Sequence, residues 1–227
     1  MRFPPARGGG RGVETTNCQK RMMRRRANVW LSMSAAFVAT AAAALVALIV
    51  LGAGGGGLRA AIGASARVAF APFWLAYVGG ALASLGVPGF LSVRARAREL
   101  GLAFAAALSV HLALVAWLIM RGAVPALRVF VIFGLGALLT LLLTLLSIPA
   151  LSALFSRHAL SRFRSLAMTY IAFAFLLDFA KRPVRADLAY LIAYVPFAIL
   201  VGVGLAARLL ARLRSIVGLP RRGEEAS

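Results

Sequence analysis

The chain has 227 residues, of which 62% are hydrophobic, and its mean hydropathy is +0.89. Soluble domains contain roughly 45–50% apolar residues, so this composition excludes a water-soluble globular protein and indicates an integral membrane protein of one domain. The 26 Lys and Arg residues exceed the 6 acidic residues and give a net charge of +20. Because the basic residues lie between the apolar runs, they favour membrane topology over nucleic-acid binding.

Residues 1–28 form a polar segment that is rich in glycine and arginine and ends in Arg24, Arg25 and Arg26. Such a segment cannot bury enough apolar surface to fold, so we predict a disordered, basic cytoplasmic tail. Met22 and Met23 precede the arginine cluster and are alternative start sites to Met1. The chain has one cysteine, and this excludes both a disulfide framework and a CxxC metal or redox site.

Six apolar runs follow the tail, and each is long enough to cross the hydrocarbon core of a bilayer, about 30 Å thick, as a helix. They cover residues 29–51, 68–91, 100–120, 129–151, 163–180 and 188–210. The predicted fold is therefore all-α: a six-helix membrane bundle over residues 29–210. A second disordered cytoplasmic tail, residues 211–227, is predicted to follow it.

The charges of the connecting segments predict the orientation of this bundle. The two tails and the segments after the second and fourth runs hold 19 Lys and Arg residues, whereas the segments on the other side hold 7. The positive-inside rule then places both termini in the cytoplasm, and an even number of spans agrees with termini on the same side. We therefore expect a multi-pass protein of the cell inner (plasma) membrane, with the lipid bilayer as its main partner.

Two ionisable side chains lie within the predicted spans, His111 near the middle of the third and Asp178 in the fifth. Polar side chains inside a membrane are costly, so both are candidates for a functional site. Counted from the inner ends of their helices they differ in depth by about 3 Å, but from the outer ends by about 10 Å, so tilt decides whether they meet. The alternatives are an interhelical hydrogen bond for His111 and pairing with Lys181 or Arg182 for Asp178.

The sequence contains none of the common catalytic motifs. The second histidine, His158, lies beside Arg157 in a predicted cytoplasmic loop, where we expect it to be solvated. The glycine run 52–57 lacks the GK[ST] ending of a phosphate-binding loop, and no HExxH or clustered Cys/His pattern occurs. A soluble type of enzyme chemistry is not indicated.

The third run contains Arg98, Gly101 and His111 in the pattern R-x-L-G-L-A-F-A-A-A-L-S-V-H. This pattern resembles the third helix of the ferric-reductase-like transmembrane domain, which is shared by ferric reductases, NADPH oxidases and the haem subunit of the periplasmic methionine sulfoxide reductase. In that family an Arg and a Gly precede a haem-ligating His at about this spacing. A second resemblance to the family lies at the start of the fifth run, in Arg162, Phe163, Arg164 and Tyr170.

The resemblance implies six spans, transmembrane electron transfer, a b-type haem and a redox partner protein. It implies His111 as the metal ligand, and His111 with Asp178 as the cofactor-binding residues. The family typically places histidines where Ser165 and Asp178 stand, and this chain has neither, so at most one haem is implied. If the chain belongs to an enzyme, it is an oxidoreductase membrane subunit without its own flavin or nicotinamide domain.

Two other functions remain open at this stage. The first is a proton-coupled small-molecule transporter that uses His111 and Asp178 as a pair. The second is a scaffold or assembly subunit without chemistry. Transporters usually carry broken helices at corresponding positions of two halves, and Pro72, Pro88 and Pro196 do not correspond in this way.

Overall fold

The computed structural model describes residues 11–180 and 188–217, and these residues fold into helices without any strand. Eight helices follow one another: α1 (Arg11–Leu51), α2 (Gly55–Ser84), α3 (Phe90–Ala95), α4 (Ala97–Met120), α5 (Leu127–Leu145), α6 (Pro149–Ser152), α7 (Arg157–Ala180) and α8 (Leu188–Val217). Six of them are long and apolar enough to cross a membrane, all except the short α3 and α6. The prediction of an all-α protein with six helices that can span a membrane is therefore confirmed for the described residues.

Both predicted tails are partly helical. The helix α1 begins at Arg11, so residues 11–28 continue the first span as a helix, where we predicted a disordered tail. At the other end, α8 continues to Val217, seven residues beyond the predicted end of the sixth span. Helix formation is cooperative, so a stable apolar helix extends into adjoining residues, and residues 19–26 before the first span consist of the good helix formers Gln, Lys, Met and Arg. Residues 1–10 and 218–227 lie outside the described residues.

The second span lies closer to the N-terminus than the sequence predicts, and the two ranges agree over residues 68–84. The helix α2 begins at Gly55, within the glycine run that we expected to be a loop, and ends at Ser84. Pro88, placed inside this span by the prediction, lies in the turn between α2 and α3. Arg67, counted in an outer loop, is the thirteenth residue of this 30-residue helix. The prediction failed because we took the arginine as the edge of a span.

The helix α2 is the most buried of the six long helices, and it packs against α1, α3, α4, α7 and α8. The rings of Phe70 and Phe73 are almost completely buried and contact rings from three neighbouring helices. The ring centroids of Phe73 and Phe104 are 5.1 Å apart, and those of Phe70 and Phe175 are 5.2 Å apart. Such aromatic pairs add about 0.5–1.5 kcal/mol each beyond the area that they bury.

The start of α4 and the start of α7 are joined to the end of α5 by two arginines. The Arg98 side chain donates a hydrogen bond to the carbonyl oxygen of Ser147, at 3.0 Å. Arg164 donates similarly to the carbonyl oxygen of Leu146, at 3.2 Å. The last carbonyls of a helix have no partner within the helix, so these bonds satisfy them and fix the three helix ends together.

The close turn between α1 and α2 generates a stability prediction. A Cβ atom on Gly57 would overlap the backbone carbonyl oxygen of Gly52. Gly52 directly follows the last residue of α1 and has a positive φ of 77°. We expect Gly57→Ala to lower the unfolding free energy by about 1–3 kcal/mol, because a backbone atom cannot move aside as a side chain can. The measurement is the Tm of the purified protein in detergent.

The control for this experiment is Gly56→Ala, because a Cβ at Gly56 meets no atom within 4 Å. The control should leave the Tm close to that of the wild type. Equal Tm values for the two variants would contradict the close packing at Gly57.

Candidate functional site

His111 lies in α4, a helix of 24 residues composed mainly of Leu and Ala. Glu99 in its first turn interacts favourably with the positive end of the helix dipole. The helix ends where Gly122 adopts a positive φ of 82° and the Ala123 N–H donates to the carbonyl oxygen of Leu118. This arrangement is a Schellman motif, and it fixes the length of α4 so that His111 lies well inside the span.

The His111 ring is held by α2. Its Nδ1 atom is 2.9 Å from the hydroxyl oxygen of Ser65, a residue with no exposed surface. The same hydroxyl lies 2.8 Å from the carbonyl oxygen of Ile62 and donates its one proton there. Because a hydroxyl has only one proton, we infer that its oxygen accepts a hydrogen bond from the Nδ1–H of His111, and this tautomer leaves a lone pair on Nε2 of the neutral ring.

His111 and Asp178, whose relative depth the sequence left open, line the same cavity. The cavity has a volume of about 340 Å³ and lies between α2, α4, α5 and α7. This volume falls near the lower end of the roughly 300–1,000 Å³ that small-molecule sites occupy. Apart from His111, Asp178 and Thr140, its lining is apolar or glycine. The alternative partners of Asp178, Lys181 and Arg182, lie outside the described residues.

Arg67 is a further ionisable residue inside a span, and the sequence interpretation missed this because it assigned the residue to a loop. It follows Ser65 by two residues on α2, so it lies about 3 Å from the level at which Ser65 bonds His111. Its guanidinium carbon is 4.6 Å from the ring centroid of Tyr194 on α8. Its Nε atom is buried without a hydrogen-bond partner in the described part of the chain. A cation–π contact of this kind is worth about 2 kcal/mol or more when desolvated.

The remaining candidate residues lie away from the cavity. Ser165, which stands at a position of a family histidine, lines a different pocket and accepts a hydrogen bond from Arg212 at 2.7 Å. His158 is exposed as expected, but it lies on the first turn of α7 and not in a loop. Ser156 caps this turn by accepting a hydrogen bond from the Ala159 N–H, which moves the helix start ahead of the predicted one.

The cavity offers few ligands for a metal ion. Among the described residues, no group of three or more His, Cys, Asp or Glu side chains lies close enough together to hold a metal. The cavity contains one imidazole and one carboxylate. Because the Nδ1–H of His111 is already bonded, the ring could bind iron or a proton only through Nε2, the usual arrangement of a ligating histidine.

The chain matches no family model, no curated protein and no solved structure. The resemblance to the ferric-reductase-like transmembrane domain is neither supported nor contradicted by these comparisons.

The bond between Ser65 and His111 leads to a second stability prediction. We expect Ser65→Ala to lower the unfolding free energy by roughly 0.6–2 kcal/mol, the range measured for interhelical hydrogen bonds in membranes. The Tm in detergent measures this loss. The 15N NMR chemical shifts of the His111 ring should also change in this variant, because alanine has no hydroxyl group to bond Nδ1 and favour one tautomer.

The matched control is Ser109→Ala, since the Ser109 hydroxyl is exposed and bonds only within α4, to the Ala106 carbonyl oxygen. If both variants shifted the ring nitrogens of His111 equally, or if neither did, the assignment of this hydrogen bond would be wrong.

Proposed function

We propose that this protein is a proton-coupled membrane carrier for a small, largely apolar molecule that bears a hydrogen-bonding group. The observation that supports this proposal best is that His111 and Asp178, from helices far apart in the sequence, line one cavity within the membrane-spanning bundle. Intramembrane His and carboxylate pairs are the usual components of proton relays in transporters.

The geometry suggests how binding and protonation are coupled. The Ser65 hydroxyl holds the His111 ring through Nδ1, so Nε2 is the nitrogen that gains or loses a proton. In the neutral form Nε2 accepts a hydrogen bond from the ligand, and in the protonated form it donates one. The two forms therefore prefer different ligand groups, and this difference in affinity couples the proton to the ligand.

The apolar lining of the cavity sets the class of ligand. Phe104 and Phe175 contribute apolar surface, and on the α5 side the rings of Phe130 and Phe133 lie beside Gly134 and Gly136. Transfer of a mostly apolar molecule of modest size from water into this space is favourable, whereas transfer of a multiply charged molecule is unfavourable because its charges lose their hydration. We therefore place sugars and nucleotides outside the ligand class.

A b-type haem fits these residues poorly. Electron-transfer haems are held by two axial ligands, commonly histidines on facing helices. The cavity offers His111 and one carboxylate, and Ser165 lies in another pocket. A haem held by His111 alone would lack the second imidazole that the resemblance implies. Electron transfer through a haem is therefore not part of the proposed function.

The proposed orientation places both termini in the cytoplasm. It is supported by the charge asymmetry, because Arg94, Arg96, Arg98 and the arginines at the start of α7 lie at one end of the bundle. Alkaline phosphatase fusions at Val124, between α4 and α5, should be active outside. Green fluorescent protein fusions at Leu154, between α6 and α7, should fluoresce inside. Signals from the same side would contradict a full crossing by α5.

The transport proposal is tested with purified protein. Compounds that co-purify with the wild type but not with Gly134→Phe are identified by organic extraction and mass spectrometry. Gly134 lines the cavity and has no atom within 4 Å of its Cβ position, so an added ring fills the space. Gly202→Phe is the control, because Gly202 is equally open but lies on α8 outside the cavity.

The identified compound is then offered to proteoliposomes with and without a pH gradient. We expect the gradient to drive uptake by the wild type and His158→Gln, whereas His111→Gln should lose this dependence because an amide does not titrate. Wild-type uptake at the same rate with and without the pH gradient would contradict proton coupling. A haem band in the reduced-minus-oxidised spectrum that disappears in His111→Ala would contradict the carrier and favour electron transfer.

A further inference from the structure

A second pocket lies away from the His111 cavity, between the first half of α7 and the second half of α8. Its volume is about 510 Å³, and it opens onto the surface of the molecule. Three arginines line it, Arg157 and Arg164 from α7 and Arg208 from α8, together with the hydroxyl groups of Ser161 and Ser165. The carrier proposal does not use this pocket, and the resemblance assigns no role to its arginines as a group.

The arginines of this pocket are held in place by neighbouring groups. The guanidinium carbon of Arg208 lies 4.4 Å from the ring centroid of Tyr77, and its Nη1 atom is 3.4 Å from the Thr169 hydroxyl oxygen. Arg164 is fixed by its bond to the Leu146 carbonyl oxygen. Each contact uses only part of a side chain that carries five N–H donors, so donors remain for a ligand. Such preorganised arginines lose less conformational entropy on binding than free ones do.

The charge of this region is not balanced by the described residues. No carboxylate lines the pocket, and the first turn of α7 contains no acidic residue. The positive end of the α7 dipole adds to the charge of Arg157 and Arg164, although cations are normally stabilised at the opposite end of a helix. Arg212 adds a fourth guanidinium next to the pocket through its bond to the Ser165 hydroxyl oxygen. An anion bound here would relieve this repulsion.

We propose that this pocket binds a phosphate group. Arginine pairs with phosphate through two parallel hydrogen bonds, and the serine hydroxyls and the start of α7 supply further donors. Basic pockets between membrane helices, close to one bilayer surface, are suited to the headgroup of an anionic phospholipid. The chemistry is the same for free phosphate, so the experiment must distinguish the two sources.

Isothermal titration calorimetry on the full chain in a neutral detergent tests this proposal. The probes are dioctanoyl phosphatidylglycerol, inorganic phosphate, and chloride at matched ionic strength. We expect Arg157→Gln and Arg208→Gln each to weaken phosphate-probe binding roughly tenfold or more, because each loses a charge-assisted hydrogen bond. Chloride should give no saturable binding.

The matched control is Arg162→Gln, because Arg162 is exposed on the same helix but does not line the pocket. It removes the same charge and should keep the wild-type affinity. Circular dichroism and Tm measurements establish whether each variant folds. Arg208 also packs on Tyr77, so if Arg208→Gln does not fold, the binding result for Arg157→Gln alone tests the proposal.

The outcomes separate the sources of phosphate. Tighter binding of phosphatidylglycerol than of inorganic phosphate assigns the site to a lipid headgroup, and the reverse assigns it to a soluble phosphate. Failure of both probes to bind would overturn the proposal. An equal loss of affinity in Arg162→Gln would also overturn it, because the attraction would then come from the overall charge and not from the pocket.

Discussion

The packing of the α2 face that carries Phe70 and Phe73 fixes the positions of most other helices. A bilayer gives no hydrophobic driving force between helices, so close contacts and ring pairs hold the bundle together. These two rings contact rings of α4, α7 and α8. Ser65 lies little more than one turn before Phe70, so the same packing sets the distance between Ser65 and His111. The candidate site therefore depends on the aromatic contacts beneath it.

The number of membrane-spanning helices could be predicted from the sequence because apolar length alone determines it. The boundaries were harder to predict, and Arg67 shows the reason. A charged residue normally ends a span, but here the ring of Tyr194 and the surrounding helices provide a place for the guanidinium inside the bundle. That contact joins residues 127 positions apart, so no local pattern reveals it. The helical start of α1 at Arg11 was missed because composition alone argued for disorder.

The candidate site shows the same division between local and long-range information. His111 and Asp178 stood out because ionisable residues are rare in apolar runs. Their placement on one cavity depends on the packing of α4 and α7, and periodicity does not report it. The role of Ser65 could not be predicted, because a serine in a membrane helix usually bonds to its own backbone. Ser65 makes that bond to Ile62 and also holds His111. From the sequence, the arginines of the second pocket were counted only as indicators of membrane orientation, because they come from two helices and no local pattern groups them.

The position of Arg67 has a consequence for the biogenesis of the protein. An arginine at the centre of an isolated helix raises the free energy of membrane insertion by about 2.5–3.5 kcal/mol. Its aromatic partner Tyr194 is synthesised 127 residues later, which takes roughly 6–25 s at translation rates of 5–20 residues per second. During this interval the guanidinium lacks its aromatic partner, so the packing of α2 against α1 and α4 has to offset this cost. The contact with Tyr194 forms only after α8 has been synthesised.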